Sequence, residues 1–163
     1  MVSVAETDQD RLAQITQSYS VTAVPVQELH ARPVDVYCPC ALGAVLNERT
    51  LPELRCKIVC GAANNQLATE ECGDLIAEQG ILYAPDYIVN AGGLLAYADG
   101  QQPGGFNRAR ALAAVERIAE TTQRVLALAK EHQLPTYRAA DQLAEQRIAA
   151  VGQAKTVATG WGR

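Results

Sequence analysis

The chain has 163 residues, 48% hydrophobic and 20% charged, enough apolar side chains for one globular domain with its own core. A formal charge of −4 and the lack of any dense Lys/Arg patch argue against nucleic acid or an acidic membrane surface as partner. No apolar run reaches the roughly 18 residues a membrane span needs, and "MVSVAETDQD" is no leader, so the expected location is the cytoplasm.

In chain order, residues 2–5 read as a short strand. Residues 7–19 read as a helix with Thr7 or Asp8 as N-cap and Leu12, Ile15 and Tyr19 on one face. Short strands follow at 22–24, 34–39, 57–61 and 81–85, separated by helical candidates at 25–30, 47–55 and 69–79. These strands lack polar alternation, which predicts cover on both faces. "IVN", residues 88–90, reads as the end of a buried strand that delivers Asn90 just before Gly92 and Gly93. Residues 99–107 form a loop. A long amphipathic helix then carries Leu112, Val115, Ile118, Thr122, Val125 and Leu128 at three-and-four spacing. A further helix after Pro135 has Leu143, Ile148 and Val151 as inner residues, and residues 152–163 read as a mobile tail. Alternating strands and helices predict an α/β fold: a mainly parallel, doubly wound sheet over residues 1–151, followed by the long helices.

Five cysteines is an odd number, and Cys38, Cys40, Cys56 and Cys60 lie on or beside predicted strands, so free thiols are expected rather than disulfides. "CPC" is not a CxxC pair, and His30 and His132 lie far from it in sequence, so no metal site is expected. His132 reads as a cation at a helix end rather than a base.

In a parallel sheet, ligands sit beyond the carboxyl ends of the strands, and every polar oddity here falls at such an end. Glu6 follows the first strand, where it can accept from both hydroxyls of an adenosine ribose or be a solvated loop acid; position alone leaves both open. Gly43, Gly61, Gly92 and Gly93 allow close approach or positive φ, and Ala41, Ala62, Ala63 and Ala91 keep side chains out of the way. Asn64, Asn65 and Asn90 offer donors and acceptors without charge. Each alone reads as a turn cap, whereas three among small residues point to one ligand.

"PCALGAVLNERTLPEL", "CGAANNQL" and "LYAPDYIVNAGGLLAYAD", in this order and spacing, resemble the C-terminal cofactor-binding domain of the glutamate/leucine/phenylalanine/valine dehydrogenases. The leucine and phenylalanine branch is the nearer likeness, and it spans residues 2–151. The resemblance implies a Rossmann-type domain and NAD-dependent oxidative deamination of an L-amino acid to a 2-oxo acid and ammonia. Carried over by position, Glu6 is the ribose acid, Ala41 and Leu42 lie along the cofactor, and Asn64 and Asn65 sit beside the nicotinamide ribose and the substrate. Asn90 holds the nicotinamide carboxamide, Gly92 and Gly93 let the chain pass near the reacting carbon, and Leu94 and Leu95 shape an apolar substrate pocket.

No GxGxxG occurs, and the chain opens where the family's second Rossmann strand opens, so the expected sheet is incomplete. In strand order 3-2-1-4-5-6 the first strand would lie between residues 2–5 and 34–39, which predicts two unpaired edges and an apolar slot. The family's catalytic lysines and aspartate match no residue, Lys57, Lys130 and Lys155 included. No residue of this chain is therefore assigned a catalytic role. The expected partners are a small amino acid substrate and either further copies or a complementing N-terminal chain. The alternative is an inactive nucleotide-binding or oligomerisation module.

Overall fold

The computed structural model describes residues 1–159. It begins with β1 (Val2–Val4), α1 (Gln9–Ser18) and β2 (Val21–Ala23), a βαβ unit whose strands pair in parallel with Val2 opposite Val21. Asp8 caps α1 by accepting the Arg11 N–H at 3.0 Å. Leu12 and Ile15 are half-buried as their spacing predicts, but Tyr19 lies beyond the last turn and is exposed.

A second parallel sheet follows in the order β3 (Val36–Tyr37), β4 (Ile58–Val59), β5 (Leu82–Tyr83). β1 and β3 share no ladder, so among the described residues the sheet is split between them, as the strand order leads one to expect. The side chains alternate after all: Tyr37, Val59 and Tyr83 share a register row and are buried, whereas Val36 and Leu82 on the neighbouring row are exposed. The expected cover on both faces is thus present on one only. That covered face packs on α2 (Glu70–Glu78) and on Leu46, Leu51, Ile76 and Tyr137. Each such fully buried aliphatic side chain contributes about 1.5–3 kcal/mol.

Two helical candidates shrink to 3-10 turns, Val26–Ala31 and Leu51–Glu53. Pro25 and Pro52 lack the N–H a longer α-helix would use. The "IVN" stretch is not a strand end. Pro85 opens α3 (Asp86–Val89), whose Val89 and Asn90 N–H groups reach back to the Pro85 and Asp86 carbonyls at 3.2 and 2.9 Å, overriding the β preference of Ile88 and Val89. Gly92 and Gly93 then open α4 (Gly92–Gly100), and neither has positive φ, which leaves close approach as the other use expected of them.

Asn107 caps α5 (Arg108–His132), which ends with Lys130 and His132 in its last turn and Gln133 at φ 55°. Residues 101–107 are tied down by Asp99, which accepts the Asn107 N–H at 2.6 Å and an ion pair from Arg110. Near its C-terminal end α5 packs through Val125 and Ala129, where a small residue lets α6 (Thr136–Thr159) approach through Ala139 and Ala140; Ala111 is buried at the other end and Leu112 is exposed. Over residues 136–152 burial is confined to the first turns of α6, so Leu143 packs whereas Ile148 and Val151 are exposed. The helix continues past the point where a tail is expected, and residues 160–163 of that tail lie outside the described residues.

Candidate functional site

Within each sheet the strands run parallel, so the carboxyl ends of β1 and β2, and those of β3, β4 and β5, open along one edge of their own sheet. At the end of β1, Glu6 Oε1 accepts the N–H groups of Thr7 at 2.7 Å and Asp8 at 3.2 Å. These bonds, Asp8's first, hold the carboxyl below its usual range. Its Oε2 has only the Arg11 guanidinium, at 3.6 Å, and keeps acceptor capacity for a hydroxyl. Glu6 and Ala41 line one cavity of about 620 Å³ between the ends of β1 and β3, walled also by Val4, Tyr37, Cys38 and Cys40. It lies between the two unpaired edges, in the slot that the strand order leads one to expect.

Beyond β3 and β4 two loops interlock through backbone. An ideal Cβ on Gly61 would stand 2.1 Å from the Pro39 oxygen, and one on Gly43 would meet the carbonyl oxygens of Asn64 at 2.7 Å and Asn65 at 2.8 Å. Only a bare α-carbon fits either place. Asn65 sits at φ 52° and is fixed from both sides: its carbonyl accepts the Ala44 N–H at 2.7 Å, and its N–H donates to Asp86 Oδ2 at 2.8 Å. The other Asp86 oxygen accepts the Tyr83 hydroxyl at 2.6 Å. Burial first, and that bond second, push the phenol up.

Asn90 reaches back across this pair of loops and donates through Nδ2 to Asn64 Oδ1 at 2.6 Å. Asn64 and Asn90 are therefore in contact, and Asn65 is adjacent in the chain. Asn64 and Asn90 thus meet in one place, while Asn65 holds the left-handed turn conformation that asparagine readily adopts. Asn90 keeps its carbonyl oxygen and Asn64 its amide hydrogens, the complement that a primary carboxamide presents. The residues present thus fit a dinucleotide, with an acid and space at one end and paired amides at the other.

Leu42 and Leu94 are 78% and 70% exposed, free to face a ligand. Leu95 turns instead to α5, where it lines grooves with Ala114, so the structure does not bring it to the asparagines. A Cβ on Gly92, on the α4 turn that follows Asn90, would meet only the Val115 side chain, at 3.8 Å. Lys57 pairs with Asp35 at 2.7 Å on the surface, and Lys130 lies in the last turn of α5, so neither reaches the site. Among the described residues no group of three or more His, Cys, Asp or Glu side chains is placed to hold a metal ion.

Two positioning residues escaped the sequence reading. Asp86 follows Pro85 at a strand end, a signal present but overshadowed by the asparagines. Gln66 is fully buried and pins the "GAANN" turn by donating to the Gly61 and Ala63 carbonyls at 2.8 and 3.0 Å. Nothing in its flanking residues announces that role.

The family model described as Glutamate/Leucine/Phenylalanine/Valine dehydrogenase matches residues 1–156. Leucine dehydrogenase of Bacillus cereus is 41% identical over 153 residues, covering 94% of this chain and 41% of the relative. Valine dehydrogenase of Streptomyces albus is 45% identical over 151 residues, covering 91% of this chain and 41% of the relative. Among solved structures, L-tryptophan dehydrogenase from Nostoc punctiforme superposes with a TM-score of 0.88 at 36% identity, over 93% of this chain and 45% of that one. The chain spans about two fifths of the length of the curated relatives it matches.

Proposed function

This chain belongs to the Glutamate/Leucine/Phenylalanine/Valine dehydrogenase family, and on that premise we propose that it supplies the cofactor-binding half of an NAD-dependent oxidative deamination of an apolar, leucine-like L-amino acid. The observation that carries the reading is the Asn64–Asn90 contact at 2.6 Å, built where the "CPCALGA" and "GAANN" turns interlock. Glu6 and Ala41 would hold the adenosine end, Glu6 by accepting ribose hydroxyls and disfavouring a 2′-phosphate. Asn64 and Asn65 would meet the nicotinamide ribose and the substrate carboxylate, and Asn90 the carboxamide. Leu42 would lie along the cofactor, and Gly92 and Leu94 would bound the reacting end, Leu94 giving it an apolar wall; Leu95, turned to α5, takes no part. NAD, when bound, supplies the hydride acceptor. Asp86 is a positioning residue that acts through the Asn65 backbone.

A second reading, dinucleotide binding without turnover by this chain alone, is favoured by the placement of Lys57 and Lys130 away from the site, which leaves neither of these amines there for proton transfer. Titration with NAD, followed at the backbone amides of Gly43, Asn64, Asn65 and Asn90, tests the shared premise. Shifts confined to these turns and the Glu6 loop are expected, and amides that stay put at millimolar NAD refute it. Adding leucine and following NADH absorbance then separates catalysis from binding alone.

A further inference from the structure

We propose that Cys38 and Cys40 are a redox-active dithiol that closes to a disulfide across Pro39 and thereby reshapes the ligand-facing "ALG" turn. The two Sγ atoms already stand 3.5 Å apart, both residues are exposed, and both line the cavity that holds Glu6 and Ala41. Mild rotation of two side chains brings them to bonding distance, because the backbone between them is held from outside. The Pro39 carbonyl accepts the Ala63 N–H at 2.9 Å, and the Tyr37 carbonyl accepts the Cys60 N–H at 3.0 Å. Proline further restricts the intervening residue, which lowers the entropy lost on closing so short a loop. Cys56 and Cys72 are buried and offer no comparable access.

The oxidant class is a small-molecule disulfide. The Cys40 thiolate attacks one of its sulfurs, forming a mixed disulfide and expelling one thiolate. The Cys38 thiol then loses its proton to solvent and attacks the Cys40 sulfur, forming the Cys38–Cys40 bond and expelling the second thiol. The chain gives up two electrons and two protons, and the oxidant is reduced to two thiols. Burial first, and the Cys40 thiol beside it second, push Cys38 up to about 11, which suits it to resolve rather than initiate the exchange. Closure draws Cys40 toward β3, and the chain passes from Cys40 directly into Ala41 and Leu42.

The dithiol chemistry stands on this geometry, and only its consequence for NAD rests on the function proposed above. The test is to incubate the reduced chain with glutathione disulfide, alkylate, and map the tryptic peptide ending at Arg49, which holds Cys38 and Cys40 and no other cysteine. The expected product is that peptide lighter by two hydrogens and unalkylated, restored by dithiothreitol, with the Ala41 and Leu42 amides displaced in the oxidised form. C38S should stop at a glutathione adduct on Cys40, and C60S should close as the parent does. Persistent mixed disulfides in the parent, a Cys40–Cys60 linkage, or closure that leaves the Ala41 and Leu42 amides unmoved would each overturn the proposal. NAD binding absent from both redox forms would count against the function instead, and the peptide map would still decide the dithiol.

Discussion

Gly43→Ala probes whether the two loops are locked by backbone contact. The new methyl would stand 2.7 Å from the Asn64 oxygen and 2.8 Å from the Asn65 oxygen, against an ordinary carbon–oxygen contact that begins near about 3.3 Å. Both carbonyls must therefore retreat by roughly half an ångström. The Asn65 carbonyl cannot do so without lengthening the 2.7 Å bond from the Ala44 N–H, and the Asn65 N–H is tied to Asp86 on the other side. Overpacking of this kind costs about 1–3 kcal/mol, which for a chain of this length lowers Tm by about 2–12 °C. Gly43 itself has no positive φ, so the effect is wholly spatial. Gly93→Ala is the control. Its added methyl meets nothing within 4 Å, and alanine in a helix is favoured over glycine by about 0.5–1 kcal/mol. Urea denaturation of the two variants should give shifts of opposite sign, with only Gly43→Ala moving the Asn64 and Asn65 amides. Two variants of equal stability, with those amides in place in both, would show that the loops are not locked as described.

Asp86→Asn should destabilise by about 1.5–3 kcal/mol, because an amide cannot accept from both the Tyr83 hydroxyl and the Asn65 N–H. A double-mutant cycle with Tyr83→Phe should show coupling, and additive effects would argue against the shared hydrogen bond. Asn90→Ala should weaken NAD binding by roughly tenfold with little change in urea midpoint, since its partner Asn64 is exposed; calorimetry giving an unchanged Kd would remove the carboxamide role. Glu6 has a folded pKa depressed below 4.5, so what it adds to the start of α1 is present above the unfolded value and lost as pH falls through the folded one. Amide spectra on acidification should show the Thr7 and Asp8 signals moving in the parent at acid pH. The same signals should be flat in Glu6→Gln, and a titration retained in that variant would assign the change to another group.

Much of this architecture follows from residue pattern. The βα unit over residues 2–18, the strands, the long helix from Asn107 and the split between β1 and β3 are legible because local propensity, capping and parallel connectivity agree there. The three asparagines stand out in the sequence because each lies among glycines and alanines, although only Asn64 and Asn65 follow a strand and Asn90 ends a helix. Failures occurred where a local preference met a stronger neighbour. Ile88 and Val89 look like a strand until Pro85 starts a helix, and Ile148 looks like core until one asks what α6 has left to pack against.

From composition and order alone come the α/β class, the parallel pairing of strands, and the small-residue turns that carry the asparagines, since these depend on spacing along the chain. Only the folded arrangement put Asn64 in contact with Asn90, placed Asp86 under the Asn65 backbone, turned Leu95 toward α5 and set Cys38 beside Cys40 at the cavity mouth. Such contacts join residues that sequence separates, or fix the direction in which neighbours point. Distances of this kind are set by how the loops pack, which no periodicity encodes.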